Sequence, residues 1–313
     1  MNTTFMELFL DRTHFPSDAQ KELFRCLRLL AEKGCGPMFD TMLEDFFNSH
    51  FDIDQTQLSV DRLASQTAVS PYTIWLLLLI HAADYTKADY ARRGIREELF
   101  WETFSDLRIK AIECREIKGV WGVFVAFWYP IFYTCDIVKI GRFEYENQRY
   151  PLDCPYTFGD ITVKKGDPVK SLHIPSSGEP FDGNARLESY RKAYHLFKPE
   201  LGGGPLICIC HSWLLYPEYR KLLDPSSNIL GFMGDFDIIH RYDKEAFSDA
   251  WRIFGRDHQK PADALPENTS LQRAFKRHLL AGGQTGEGFG IMLFHGDRIL
   301  NSKGAADRFS VGL

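Results

Sequence analysis

Apolar positions in the first third of the chain recur at helical spacing. Leu23, Leu27 and Leu30 follow one another at intervals of four and three behind Pro16. The stretch Ser17-Asp18-Ala19-Gln20 before them has capping-box form, and Gly34 is placed to end that helix. Phe39, Met42, Leu43, Phe46 and Phe47 repeat the pattern, and Ser70 with Pro71 forms an N-cap and N1 pair for the apolar run 72–80. Phe100, Phe104, Leu107 and Ala111 stripe one further helix. Residues 1–118 therefore read as a helical domain.

Beyond Lys118 the pattern changes. The run 119–135 (GVWGVFVAFWYPIFYTC) is uncharged but falls short of the roughly 20 residues a spanning helix needs, carries Pro130 in its interior and spreads its aromatics throughout. It reads as buried core rather than membrane span, as does 72–80, which continues into His81, Asp84 and Lys87. Apolar and charged residues then alternate over 137–150, with 159–163 in the same style, which predicts an antiparallel meander. A strand at 171–174, the loop PSSGEPFDG, a helix bearing Leu187, Tyr190, Tyr194 and Phe197, and a strand at 205–210 make a parallel crossover unit. A short helix after Pro217, a strand at 236–239, helices around 244–254 and 270–280, and a last strand at 288–294 complete the reading; 256–269 is a surface connection.

Composition narrows the classes of partner. With Lys+Arg 37 against Asp+Glu 42 and a net charge of -5, nothing global draws the chain to nucleic acid or to an anionic membrane. Residues 63–74 have the rhythm of a helix-turn-helix, but the second helix offers no Lys or Arg before Lys87 for phosphate and base contacts. Seven cysteines lie scattered without a disulfide or paired-CxxC spacing, and the N-terminus has no secretory form, so reduced thiols and a cytoplasmic location are expected. No metal site is expected, because Cys208, Cys210 and a histidine lack a closing pair.

Four windows carry a family resemblance: GRFEYE at 141–146, LHIPSSGE at 172–179, CHSWLLYP at 210–217 and SNILGF at 227–232. With them the chain resembles a bacterial family of acyltransferase-domain proteins that pair an N-terminal helical domain with a C-terminal domain like that of GNAT N-acyltransferases. The resemblance implies an α+β protein, helical over 1–118 and GNAT-like with a mixed sheet over 119–313. It also implies acyl-CoA as cosubstrate and a small amine or hydroxyl compound as acceptor. A catalytically silent GNAT-like binding module is the alternative. In GNAT enzymes acyl-CoA lies where two parallel strands splay, its pyrophosphate on backbone N–H groups before the crossover helix. Here that implies Ser176, Ser177 and Gly178 in the loop, and Cys210 and Ser212 on the second strand. The loop lacks the basic first position and glycine spacing usual in that family, and carries Glu179 and Asp182 instead.

Acyl transfer needs a base for the attacking nucleophile, donors for the oxyanion and an acid for the departing thiolate. His173, His211, Glu144, Tyr216 and Tyr219 are the candidate groups. Alternation places His173 on the opposite side of its strand from Leu172 and Ile174. It likewise separates His211 from Cys210, which argues against a nucleophile and base in adjacent positions. Arg142 and Glu144 share a strand face and are candidates for the acceptor side.

Overall fold

The computed structural model describes residues 2–301. The chain forms two compact units, one of Met1–Lys139 with Pro175–Ser177, the other of Ile140–Ile174 with Gly178–Leu313. The first unit contains α1 (Thr3–Arg12), α2 (Ser17–Glu32), α3 (Gly36–Asn48), α4 (Ile53–Thr67), α5 (Pro71–Arg92), α6 (Glu97–Phe104), α7 (Asp106–Lys118) and the short α8 (Pro130–Tyr133). The strand β1 (Ile137–Ile140) begins in this unit and ends on the first residue of the second.

α5 is the axis of this unit. It is buried without a break from Thr73 to Ala83, as a helix apolar on every side must be. Its first half therefore offers no face to a DNA groove. Among the described residues no single helix is long and apolar enough to cross a membrane; α4 and α5 pass that test only as a pair bent by 120°. The aromatic run 119–135 packs on α5: Thr73 Oγ1 donates to Trp121 O (2.7 Å), Val123 N to Tyr72 O (2.9 Å), and Tyr133 Oη to Leu79 O (2.8 Å). Residues 119–139 thus belong to the helical unit.

Two sequence expectations change here. Ser17 is the first helical residue rather than the cap, because Pro16 takes the N-cap place and has no N–H for a capping box to satisfy. Gln20 Nε2 donates instead to Phe15 O at 2.9 Å. The single stripe 100–111 is divided between α6 and α7 at Ser105, whose hydroxyl donates to Glu102 O at 2.6 Å.

The second unit contains β2 (Phe143–Arg149), β3 (Tyr156–Phe158), β4 (Ile161–Val163), β5 (Pro168–His173), α9 (Gly183–Phe197), β6 (Leu206–Ser212), α10 (Asn228–Gly234), β7 (Asp237–Lys244), α11 (Ala250–Phe254), α12 (Ser270–Leu280), β8 (Thr285–His295) and β9 (Arg298–Ile299). Its main strands order as β2-β5-β6-β8-β7, with β9 on β8. β5 and β6 are parallel, and the neighbouring pairs are antiparallel. β3 and β4 leave the expected meander and pair only with each other. β7 runs on to Lys244, paired with Thr285, so the helix expected from 244 shrinks to α11.

The sheet has two distinct faces. On one, Val169, Ile209, Phe289, Ile291 and Leu293 pack with Tyr150, Tyr156 and Val163 under the β3–β4 hairpin. On the other, Tyr190 of α9 lies 5.8 Å from Phe294 between ring centroids, and Ser189 Oγ is 3.0 Å from Tyr145 Oη. Call these the hairpin face and the helix face. On β8 the alternate residues Gly286, Gly288 and Gly290 leave the helix face bare. The 3₁₀ turn Trp213–Leu215 and Tyr216 lie flat on it: a Cβ at Gly288 would stand 2.1 Å from Leu215 O, and one at Gly286 2.5 Å from Tyr216 Cε2.

Candidate active site

The β5–β6 ladder pairs Lys170 with Cys208 and Ser171 with Ile209, and ends there. Both strands continue on their outer partners, β5 as far as His173 opposite Glu144, β6 as far as Ser212 opposite Gly288. Two parallel strands that each keep their outer neighbour while losing one another diverge. They open a gap at their carboxyl ends, the edge where open α/β sheets bind ligands.

One histidine stands on each side of that gap. Counting on from the last pair brings His173 level with His211, and both share the hairpin face with Ser171 and Ile209. Each imidazole meets a carboxylate through Nε2: His173 with Glu146 Oε2 at 2.8 Å, His211 with Glu287 Oε2 at 2.9 Å. Gln148 Nε2 holds the other oxygen of Glu146 at 2.5 Å, and Lys244 Nζ lies 3.4 Å from Glu287 Oε2. The Tyr242 ring centre is 4.9 Å from that of His211. In the tautomer that donates from Nε2 to the carboxylate, the lone pair lies on Nδ1, which is what a proton acceptor requires.

Glu146 and Glu287 are the residues that sequence reasoning missed. Glu144, the carboxylate it named, is buried directly across from His173, and the next residue on the same strand face makes the bond. The alternation Phe143-Glu144-Tyr145-Glu146 showed both carboxylates on one face; only the β2–β5 register decides between them. Glu287 had a signal too, as a lone charge between Gly286 and Gly288.

Other named residues lie elsewhere. Cys210 is fully buried on the helix face, so neither histidine has it as a neighbour on its own side of the sheet, and burial pushes its thiol pKa well up. Cys208, on the same face, is pushed up to about 12 by burial. Ser212 Oγ accepts from Leu214 N at 3.2 Å and so caps the following turn. Tyr216 and Tyr219 are both fully buried. Tyr216 Oη donates to Asp243 Oδ1 at 2.6 Å, while Tyr219 Oη accepts from Gly286 N at 3.3 Å. Burial raises both phenol pKa values, with Asp243 adding to the effect at Tyr216. These two hydroxyls stay protonated, and the Tyr216 ring lies on the helix face, across the sheet from the imidazoles.

The loop between β5 and α9 holds the remaining candidates. Ser176 and Gly178 are exposed and Ser177 is half-buried; Gly178 takes φ +74°, a conformation natural to glycine, with open space around its Cα. Asp182 caps α9, its Oδ1 accepting from Asn184 N (2.9 Å) and Ala185 N (3.0 Å). The first turn of the helix is thereby already occupied by a carboxylate. Arg142 lies beside Glu179 and Glu144 and over the Phe181 ring, Cζ to centroid 5.0 Å, so the loop's acidic residue has a guanidinium close by. Among the described residues no group of three or more His, Cys, Asp or Glu is placed to hold a metal.

A mixed sheet with a parallel pair diverging at its centre, a crossover helix between the two strands and titratable groups on the rims defines the GNAT class of fold. Residues 4–135 match the N-acyltransferase N-terminal domain and residues 137–292 the GNAT-like C-terminal domain, and the chain belongs to the family of GNAT-like acyltransferases that joins the two. Nothing matches among curated proteins. Solved structures with the same fold include an acyltransferase in complex with decanoyl-CoA and teicoplanin, at 20% identity over 91% of this chain and 86% of that one, TM-score 0.69. Another is a mutant acyltransferase in complex with octanoyl-CoA, at 20% identity over 94% and 88%, TM-score 0.67.

Proposed function

We propose that this protein transfers an acyl group from a CoA thioester to a small amine or hydroxyl acceptor, with the thioester arm in the gap between β5 and β6. The observation that carries this reading is the end of the β5–β6 ladder at Ser171 and Ile209, with a histidine–carboxylate pair on each rim. The complexes of the structural relatives with decanoyl-CoA and octanoyl-CoA support a donor of medium chain length. The complex with teicoplanin supports a small-molecule acceptor.

In this reading His211, the more exposed of the two imidazoles, is the base. Nε2 is held by Glu287, and Nδ1 takes the proton from the acceptor as its nitrogen or oxygen attacks the thioester carbonyl. His173, held by Glu146, stands on the opposite rim as the second base or as a donor to the oxyanion, with Glu144 buried beside it. The proton taken up by His211 passes on to the departing thiolate, because Tyr216 already gives its own to Asp243 on the other face of the sheet and Tyr219 is buried beside it. The diphosphate rests on the backbone of Ser176, Ser177 and Gly178, upstream of the helix start that Asp182 already fills, while Cys210 and Ser212 line the arm with their backbone. The seven cysteines are free thiols, which supports a cytoplasmic location as part of the same proposal.

Titration of the protein with CoA and with decanoyl-CoA in a calorimeter tests the cofactor without needing the acceptor. Saturable binding, tighter for decanoyl-CoA, is expected. Absence of heat with both ligands at millimolar concentration would refute the reading.

A further inference from the structure

Arg186, in the first turn of α9, is a buried arginine that ties α9 and the loop before it to both ends of α10. Its Nε donates to Asp235 Oδ2 at 2.7 Å, just beyond α10. Nη1 donates to Phe181 O at 2.9 Å, at the end of the loop, and lies 3.4 Å from Asn228 O at the start of α10. Tyr190 Oη donates to the same oxygen of Asp235 at 2.9 Å. A Cβ at Gly231 would stand 2.9 Å from Nη2 and 3.3 Å from Nη1, so the guanidinium lies directly against that Cα. This accounts for the window SNILGF, which holds no obvious catalytic group: Ser227 caps α10, Asn228 offers its carbonyl and Gly231 gives clearance. Phe181, fixed by its carbonyl, packs its ring 5.3 Å from Phe232 and 6.2 Å from Phe143, below Arg142.

A buried ion pair is a poor source of net stability, because desolvation offsets most of its attraction. What a planar guanidinium does supply is direction, since its donors reach several acceptors at fixed angles where an ammonium could not. We propose that Arg186 is a positioning residue for the cofactor: it fixes the loop end at Phe181, so that the backbone N–H groups upstream stand ready for the diphosphate before the ligand arrives. The inference rests on the acyl-CoA reading above, and it predicts that the phosphate-bearing part of the ligand alone feels the loss.

Arg186→Lys keeps the charge and loses the fork. Gly231→Ala leaves Arg186 in place and pushes the guanidinium aside. Each is titrated with decanoyl-CoA and with S-decanoyl-pantetheine, which has the thioester arm and no phosphate, at a temperature where circular dichroism shows a folded protein. Both variants are expected to lose about tenfold or more in affinity for decanoyl-CoA, the scale of one good polar contact, while S-decanoyl-pantetheine binds as to wild type. Equal losses for both ligands, or none, would overturn the proposal. If Arg186→Lys does not fold, Gly231→Ala decides by the same criterion. Wild-type protein that binds decanoyl-CoA beside unaffected variants removes this inference alone; wild-type protein that fails to bind it removes the acyl-CoA reading and this inference together.

Discussion

Gly288→Ala is the substitution whose cost the structure states most directly. The new methyl would stand 2.1 Å from Leu215 O, 2.5 Å from Leu215 C and 2.9 Å from Leu215 Cβ. Two of these are backbone atoms, so no side-chain rotation relieves the contact, and ordinary separation requires a shift of more than an ångström by the turn or by β8. The turn is not free to shift alone, because Ser212, which pairs with Gly288 itself, also caps it through Leu214 N. Overpacking of this kind costs about 1–3 kcal/mol and sometimes more, and a backbone collision belongs at the upper end. A loss of about 3 kcal/mol lowers the melting temperature of a unit this size by roughly 6–12 °C. Gly234→Ala is the control, since nothing lies within 4 Å of the added atom and alanine favours a helix. Urea unfolding and calorimetric melting of both variants check the expectation. A Gly288→Ala protein within about 1 kcal/mol of wild type would show that the turn does not lie on β8 as described.

Replacing His211 with Gln keeps reach and polarity and removes the proton acceptor, so CoA release from decanoyl-CoA over a panel of amines should fall roughly 10²- to 10⁴-fold with little change in melting. Intact turnover per folded molecule would return His211 to a structural role. Glu179→Gln removes a negative charge beside Arg142 and should tighten CoA binding at low salt, an effect that fades as salt rises; unchanged affinity at low salt would place the phosphates elsewhere. His81 is buried in α5 with Nδ1 2.8 Å from Leu77 O, and burial holds its pKa below the usual 6.5. The unfolded chain then binds the extra proton first, so this contribution to stability is full above about pH 6.5 and is lost as pH falls towards the folded pKa, by at most about 1.4 kcal/mol per pH unit. His81→Leu should flatten that slope in urea titrations between pH 7 and 5, and an unchanged slope would refute the assignment.

Local rules settled much of this protein in advance. Helical periodicity gave α2, α3 and the start of α5 in the first unit, and strand alternation placed His211 and Cys210 on opposite faces of β6, because both signals depend only on residues a few positions apart. The family windows likewise carried the GNAT-like fold. Capping failed at Ser17 for an equally local reason, the missing N–H of Pro16. What required the folded chain was every pairing between distant segments: the choice of Glu146 over Glu144 for His173, the meeting of Glu287 with His211, and the seat of Arg186 against Gly231. Each of these is fixed by strand register or by packing across more than twenty residues of chain. A one-residue slip in register would turn every side chain of a strand to the other face, and nothing within a single strand tells it which neighbour, or which register, it will meet.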